Sequence, residues 1–182
     1  MVRVIGGRAR GLRLQVPEGN MVRPTSDRVR ESLFNILSHR FDVEFDGLRV
    51  LDLFAGAGTL GIEALSRGAD TACFVEKSQR VAKILEKNLV RVPGESQVIR
   101  MEAERFLKGK AQPFDLVFMD PPYGAESVSR ILSLLNSETW LSDEALVCVE
   151  QASQSTIEDV EGLSLDFHRV YGASAVRVLS RT

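Results

Sequence analysis

At 182 residues, 44% hydrophobic and 26% charged, the chain is sized for one domain whose core needs no staples. Two cysteines, Cys73 and Cys148, sit inside apolar runs and two histidines, His39 and His168, give no zinc spacing, so no metal is expected. No apolar signal core opens the chain, and arginines interrupt any membrane segment, so a cytoplasmic protein with no membrane partner is expected. The net charge of -2 hides an asymmetry: residues 1–40 carry eight arginines against three carboxylates, a net +5, while the remainder carries 15 basic against 22 acidic groups, a net -7.

The basic charge comes first along the chain. Residues 2–5 and 12–16 alternate apolar and other side chains, with Gly6, Gly7 and Gly11 between them and Pro17 and Gly19 after, the pattern of a β-hairpin. Alternation puts Arg3 opposite Val2 and Val4, and Arg13 opposite Leu12 and Leu14, so one face docks while the other offers arginines. A two-stranded hairpin is marginal alone and must lean on a body or a ligand. Arg3, Arg8, Arg10 and Arg13 suit a polyanion, whose counterions they would release, and the absence of lysine favours forked contacts; solubilising charge on an exposed hairpin is the plainer alternative. Arg23-Pro24-Thr25 then leads into a helix capped by Thr25 or Ser26, with Asp27 in its first turn and Val29, Leu33, Ile36 and Leu37 as the core stripe. Arg28 and Arg30 lie off that stripe, and Arg23 is the better placed to reach a ligand near the sheet.

From residue 48 strands and helices alternate. Strands are expected at 48–54, 71–75, 98–101, 114–119 and 145–149, with helices at 59–67, 79–91 and 103–107 and another carrying Val128, Ile131, Leu132 and Leu135. This is the signature of a mostly parallel α/β sheet covered on both faces. The tail differs, because 163–170 and 173–179 are joined tightly enough for a hairpin and so end the sheet with an antiparallel strand. Such sheets bind ligands at the carboxyl ends of their strands, where strand order reverses. Asp52, Glu76, Glu102 and Asp120 fall at or just after four successive strand ends, and so converge on one edge.

Two of those ends carry motifs. Gly56-Ala57-Gly58-Thr59-Leu60-Gly61 matches G-x-G-x-x-G between a strand and a helix, with Glu76 twenty residues beyond Gly56. A dinucleotide enzyme would show the same. Asp52, however, suits a cationic ligand such as S-adenosylmethionine better than two phosphates, and no residues remain for a substrate domain. The other motif ends FDLVFMDPPY: Pro121 stops the strand, and two successive prolines stiffen the corner. That corner offers the Asp120 carboxylate and Pro121 carbonyl as acceptors, with the Tyr123 ring as a stacking face, an arrangement suited to a planar exocyclic amine. A proline turn beside a packed tyrosine is the alternative reading of these four residues.

With DLFAGAGTLGIEALSRGA, the acid ending the second strand of the sheet and DPPY, the chain resembles the class I S-adenosylmethionine-dependent methyltransferases of Rossmann-like fold that modify exocyclic amines. Adding VIGGRARGLRL and RPTSDRVRESLFNIL, it is similar over nearly its whole length to the bacterial 16S ribosomal RNA guanine-N2-methyltransferase family. The resemblance implies that Asp52, Phe54, Gly56 and Gly58 line the methionine end of the cofactor, Glu76 the ribose hydroxyls, and Glu102 with the Ala103 backbone the adenine. Arg23 and Thr25 would cover the cofactor, and Asp120, Pro121, Pro122 and Tyr123 would hold the target base. At 102 the family pattern has Asp where this chain has Glu. The implied division is an RNA-binding arm over residues 1–22 and a methyltransferase domain over 23–182, acting as a monomer on 16S ribosomal RNA within an assembling small subunit. A DNA adenine-N6 methyltransferase would share the pocket logic but usually needs a target-recognition insertion, and none is visible. A non-catalytic RNA-binding module would keep the arginines without needing the glycines or DPPY.

Overall fold

The computed structural model describes residues 2–17, 27–121, 128–137 and 139–182. β1 (Val2–Arg3) pairs antiparallel with β2 (Arg13–Leu14), with Val2 opposite Leu14 and Arg3 opposite Arg13. The expected hairpin is present, with Val2 and Leu14 buried and both arginines exposed. After α1 (Asp27–Arg40) come β3 (Arg49–Leu53), α2 (Thr59–Arg67), β4 (Thr71–Val75), α3 (Gln79–Leu89), β5 (Glu95–Ile99), α4 (Ala103–Leu107) and β6 (Phe114–Met119). The chain ends with α5 (Val128–Ser137), β7 (Leu141–Ala152), β8 (Leu163–Tyr171) and β9 (Ser174–Arg181). The large sheet has the order β5-β4-β3-β6-β7-β9-β8. β9 runs antiparallel to both neighbours, and every other pairing is parallel. Strand order therefore reverses between β3 and β6, which places the crevice beyond their carboxyl ends.

Strand alternation divides the core between the two faces. On one, Phe34, Leu37, Ile62, Leu65, Phe74, Leu85 and Phe118 pack together with Val2, Val4 and Leu14 of the hairpin. On the other, Leu51, Leu53, Val117 and Met119 meet Ile131, Leu132, Leu135 and Trp140, whose indole N–H donates to the Leu107 carbonyl at 3.1 Å. The hairpin thus shares the core of the sheet rather than standing off it. Gly7 lets it approach: with φ at +72°, a Cβ there would lie 1.8 Å from the Ser66 carbonyl oxygen. No helix among the described residues is long and apolar enough to cross a membrane.

Several local expectations are corrected. Arg30, read from periodicity as lying off the core stripe of α1, is fully buried. Its guanidinium donates to Asp27 Oδ1 at 2.9 Å and to the Arg3 carbonyl at 2.5 Å, and lies 3.8 Å from Glu63, so its charge is met by two carboxylates while the docked hairpin covers it. Ile36 is only partly buried, and Phe34 takes the central place, its ring 5.5 Å from that of Phe45 and 5.6 Å from that of Phe118. β5 begins at Glu95 rather than Val98 because it is the sheet's edge strand and tolerates an exposed polar start. α3 ends at Leu89, and β7 begins at Leu141.

Candidate active site

Register brings the motifs together. Leu53 lies opposite both Val75 and Met119, and Val75 lies opposite Ile99, so β3, β4, β5 and β6 finish level with one another. The glycine loop, Glu76, Glu102 and Asp120 follow those four ends directly or within three residues and share one edge of the sheet.

The turn out of β3 is strained where it leaves the strand. Phe54 has φ 64°, a left-handed conformation that costs a non-glycine residue about 1–2 kcal/mol and is held only by its surroundings. Ala55 donates its N–H to the Val75 carbonyl at 3.0 Å, and Gly58 donates to Ala55 at 2.7 Å. Gly56 and Gly58 both have positive φ, at 56° and 81°. The two glycines differ in what surrounds them. A Cβ at Gly58 would lie 2.3 Å from Leu85 Cδ1 and sit on a strained φ of 81°, whereas at Gly56 the nearest atom is the Phe54 carbonyl oxygen at 3.9 Å. The space beside Gly56 is open, as a ligand approaching the backbone requires.

Carboxylates hold the loop. Glu76 accepts the Gly56 N–H through Oε2 at 3.0 Å and the Ser78 N–H through Oε1 at 2.7 Å, tying the first glycine to the end of β4. Asp52, on the penultimate residue of β3, is 2% exposed and accepts the Gly61 N–H through Oδ2 at 2.9 Å, beneath the first turn of α2. Burial pushes its carboxyl up from 3.8 to about 7, opposed by the Gly61 hydrogen bond and reinforced by the charge of Glu76. Asp52 therefore sits under the loop, its carboxyl turned to the Gly61 amide. A cation arriving above it would draw the proton off.

Glu102 is the N-cap residue of α4, without a side-chain capping bond, and Lys77 Nζ lies 3.7 Å from Oε1 of its exposed carboxylate. Ala103 behind it is buried. This arrangement leaves the longer carboxylate in solvent reach at the edge where the resemblance places adenine. At β6, Asp120 and Pro121 are half-buried directly beyond Met119. Arg23, Thr25, Pro122 and Tyr123 lie outside the described residues. Among the described residues no group of three His, Cys, Asp or Glu stands close enough to hold a metal ion. Cys73, whose thiol burial pushes up to about 11, and buried Cys148, pushed higher still, are core thiols.

Arg3, Arg8, Arg10 and Arg13 are all exposed on the hairpin. Two residues absent from the sequence reading hold that hairpin down. Glu63, fully buried in α2, receives the Ile5 and Gly6 amides, each at 2.8 Å. Asn88, buried in α3, bonds both to Gln15 and to the glycine loop. The signal was present in each case: a carboxylate among the small and apolar residues of LGIEALS, and an amide three residues after Leu85 on an otherwise apolar stripe.

A family model described as conserved hypothetical protein 95 matches residues 2–180. The chain is 41% identical over 182 residues to the ribosomal RNA small subunit methyltransferase D of Escherichia coli strain K12, covering 99% of this chain and 90% of that protein. It is 38% identical to the protein of the same name from Haemophilus influenzae, covering 97% of this chain and 92% of that one. Among solved structures, the Escherichia coli chain yhhF superposes with a TM-score of 0.87 at 40% identity, covering 99% of this chain and 97% of its own.

Proposed function

The chain belongs to the family described as conserved hypothetical protein 95, and on that membership we propose that it transfers a methyl group from S-adenosylmethionine to the exocyclic N2 of a guanine in 16S ribosomal RNA. The observation that supports this reading is the shared strand edge, along which the open side of Gly56, the Glu76 carboxylate and Asp120 follow neighbouring strand ends. The residues suit the cofactor's chemistry. Glu76 is an acceptor for a ribose diol, Gly56 gives room for backbone approach, and Asp52 supplies a negative field for the ammonium and sulfonium groups. Glu102 and the Ala103 backbone remain the proposed adenine contacts. Arg23 and Thr25 are the proposed cover.

S-adenosylmethionine, when bound, supplies the methyl group as an electrophile on sulfur. The rest is done by the chain's own groups. A guanine amino lone pair is delocalised into the ring and nucleophilic only when the nitrogen is pyramidal. Asp120 and the Pro121 carbonyl accept its two hydrogens, favouring that geometry and aiming the lone pair, with Pro122 the next residue of the proposed base site. As the nitrogen–carbon bond forms and the sulfur–carbon bond breaks, the nitrogen sheds one proton, for which Asp120 is the acceptor at hand. Tyr123 stacks on the base once it has left its helix. Arg3, Arg8, Arg10 and Arg13 bind the RNA backbone from the arm, in a soluble, cytoplasmic monomer working on an assembling small subunit.

The test is mass mapping of methylated nucleotides in ribosomal RNA from cells with and without the gene. One N2-methylguanine should vanish from 16S RNA and return when purified protein, S-adenosylmethionine and small subunits are combined. An unchanged 16S map, or transfer to adenine in duplex DNA instead, would end this reading.

A further inference from the structure

The loop that receives the cofactor and the arm that carries the arginines are held by the same side chain. Asn88, 6% exposed on the sheet side of α3, accepts the Gln15 N–H through Oδ1 at 2.8 Å and donates through Nδ2 to the Gln15 carbonyl at 2.9 Å. The same Nδ2 donates its other hydrogen to the carbonyl of Ala57 at 3.0 Å. The orientation of the amide follows from its partners, since turning it over would set oxygen against two carbonyls and NH2 against an N–H. Both amide hydrogens are committed, one to each segment. Ala57 is the central residue between Gly56 and Gly58, while Gln15 is two residues from the end of the described arm.

We infer that Asn88 is a positioning residue that couples the RNA arm to the cofactor loop, so that RNA binding and cofactor binding strengthen each other. This rests on the functional reading above. The loop is clamped residue by residue from different elements: Gly56 N–H by Glu76 of the β4 end, Ala57 carbonyl by Asn88 of α3, and Gly61 N–H by Asp52 of β3. Of these three clamps, Asn88 is the one that also reaches the arm. When the Gln15 end of the arm frays, while its turn stays on Glu63 and Ser66, Asn88 loses two of its three bonds and the amide is free to turn, which releases Ala57. RNA that holds the arm down raises the population of the clamped loop, and a ligand that needs that loop then binds with a better apparent affinity. The effect is reciprocal by linkage.

The test is a binding cycle on the full chain, using S-adenosylhomocysteine and a 16S RNA fragment as probes. The dissociation constant of each is measured with the other absent and at saturation. In the unaltered protein each ligand should tighten the other several-fold. Asn88→Ala, and the near-isosteric Asn88→Asp, which keeps the acceptor for Gln15 N–H but loses both donations, should bring that factor close to one. Leu132→Ala, which opens the core on the opposite face of the sheet, serves as a matched destabilised control and should keep the full factor. A factor of one in the unaltered protein, or a full factor in both Asn88 variants, overturns the inference while leaving the methyltransferase reading intact. Failure of S-adenosylhomocysteine to bind the unaltered protein overturns both.

Discussion

Glu63 binds the arm with both of its carboxylate oxygens: Oε2 takes the Ile5 amide and Oε1 the Gly6 amide, each at 2.8 Å. The same carboxylate meets Arg67 Nε at 2.9 Å and Arg30 Nε at 3.8 Å, with its own side chain and that of Arg30 fully buried. Two backbone donors and two guanidinium groups thus converge on one acid, and the arm's turn becomes part of α2's environment. Ser66, one helical turn on, repeats the attachment by accepting the Ala9 amide at 2.9 Å and donating to the Gly6 carbonyl at 2.6 Å.

Removing that acid should release the arm. Glu63→Ala leaves two amides and the buried side of Arg30 without their counter-charge, a loss on the order of 3–5 kcal/mol for a broken buried pair. Urea unfolding should register most of it, and trypsin should cut at Arg8 and Arg10 far faster than in the unaltered protein. Unchanged cleavage there would mean that Glu63 does not hold the arm.

Two glycines of the arm separate strain from clash. Gly7 and Gly11 both have positive φ, at 72° and 84°, but only at Gly7 does a Cβ meet backbone, 1.8 Å from the Ser66 oxygen; at Gly11 nothing lies within 4 Å. Gly11→Ala should therefore lose roughly 1 kcal/mol, the backbone penalty alone, and Gly7→Ala clearly more. Thermal denaturation of the pair decides it, and equal losses would refute the close approach.

Charge on the arm should appear as salt dependence. Replacing Arg3, Arg8, Arg10 and Arg13 together with glutamine removes up to four phosphate contacts, so the slope of log affinity against log salt should shallow by about 3 for single-stranded RNA. Binding titrations between low and physiological salt supply the slope. If it is unchanged, the arginines face solvent only.

How far these features were legible follows from which physical signal each one leaves. Buried parallel strands such as LVFM in β6 announce themselves through unbroken apolar runs, and α2 through its Gly58 and Gly68 boundaries, so the sheet and its carboxyl edge could be read directly. Arg30 could not, because periodicity records only that a charge is present, and its burial depends on a hairpin that arrives from elsewhere in the chain. For Glu63 and Asn88 the pattern shows a polar group on an apolar face but not what it holds, because their partners are backbone amides and carbonyls, which every sequence possesses and none displays. The polar start of β5 was equally silent, since an edge strand need not be apolar.

At the Asp120 corner, Asp120→Ala should abolish methyl transfer while S-adenosylhomocysteine binding stays within a few-fold, because the proposed cofactor contacts follow the ends of β3, β4 and β5 rather than β6. The loss belongs in kcat rather than in KM for the cofactor. Single-turnover assays with tritiated methyl donor provide the comparison, and near-normal turnover would remove Asp120 from the chemistry.

The buried acid under the loop should make the protein's stability depend on pH in a particular sense. Asp52 is raised in the folded chain from 3.8 to about 7, so folding favours its protonated form. Its contribution is complete below about pH 4 and is lost as pH climbs through about 7, a fall on the order of 4 kcal/mol at most. Asp52→Asn keeps an acceptor for the Gly61 amide but cannot ionise, so its urea midpoint should gain on the unaltered protein between pH 5 and pH 8. Binding should show the opposite preference. A cationic ligand above Asp52 draws off the proton, so S-adenosylmethionine should bind more tightly at pH 8 than at pH 5.5 and release up to one proton near pH 6, whereas Asp52→Asn should bind weakly without that dependence. Calorimetry in buffers of different ionisation heat counts the protons directly. Finding none released would mean that Asp52 keeps one protonation state with and without the cofactor and that the cofactor's charge does not reach it.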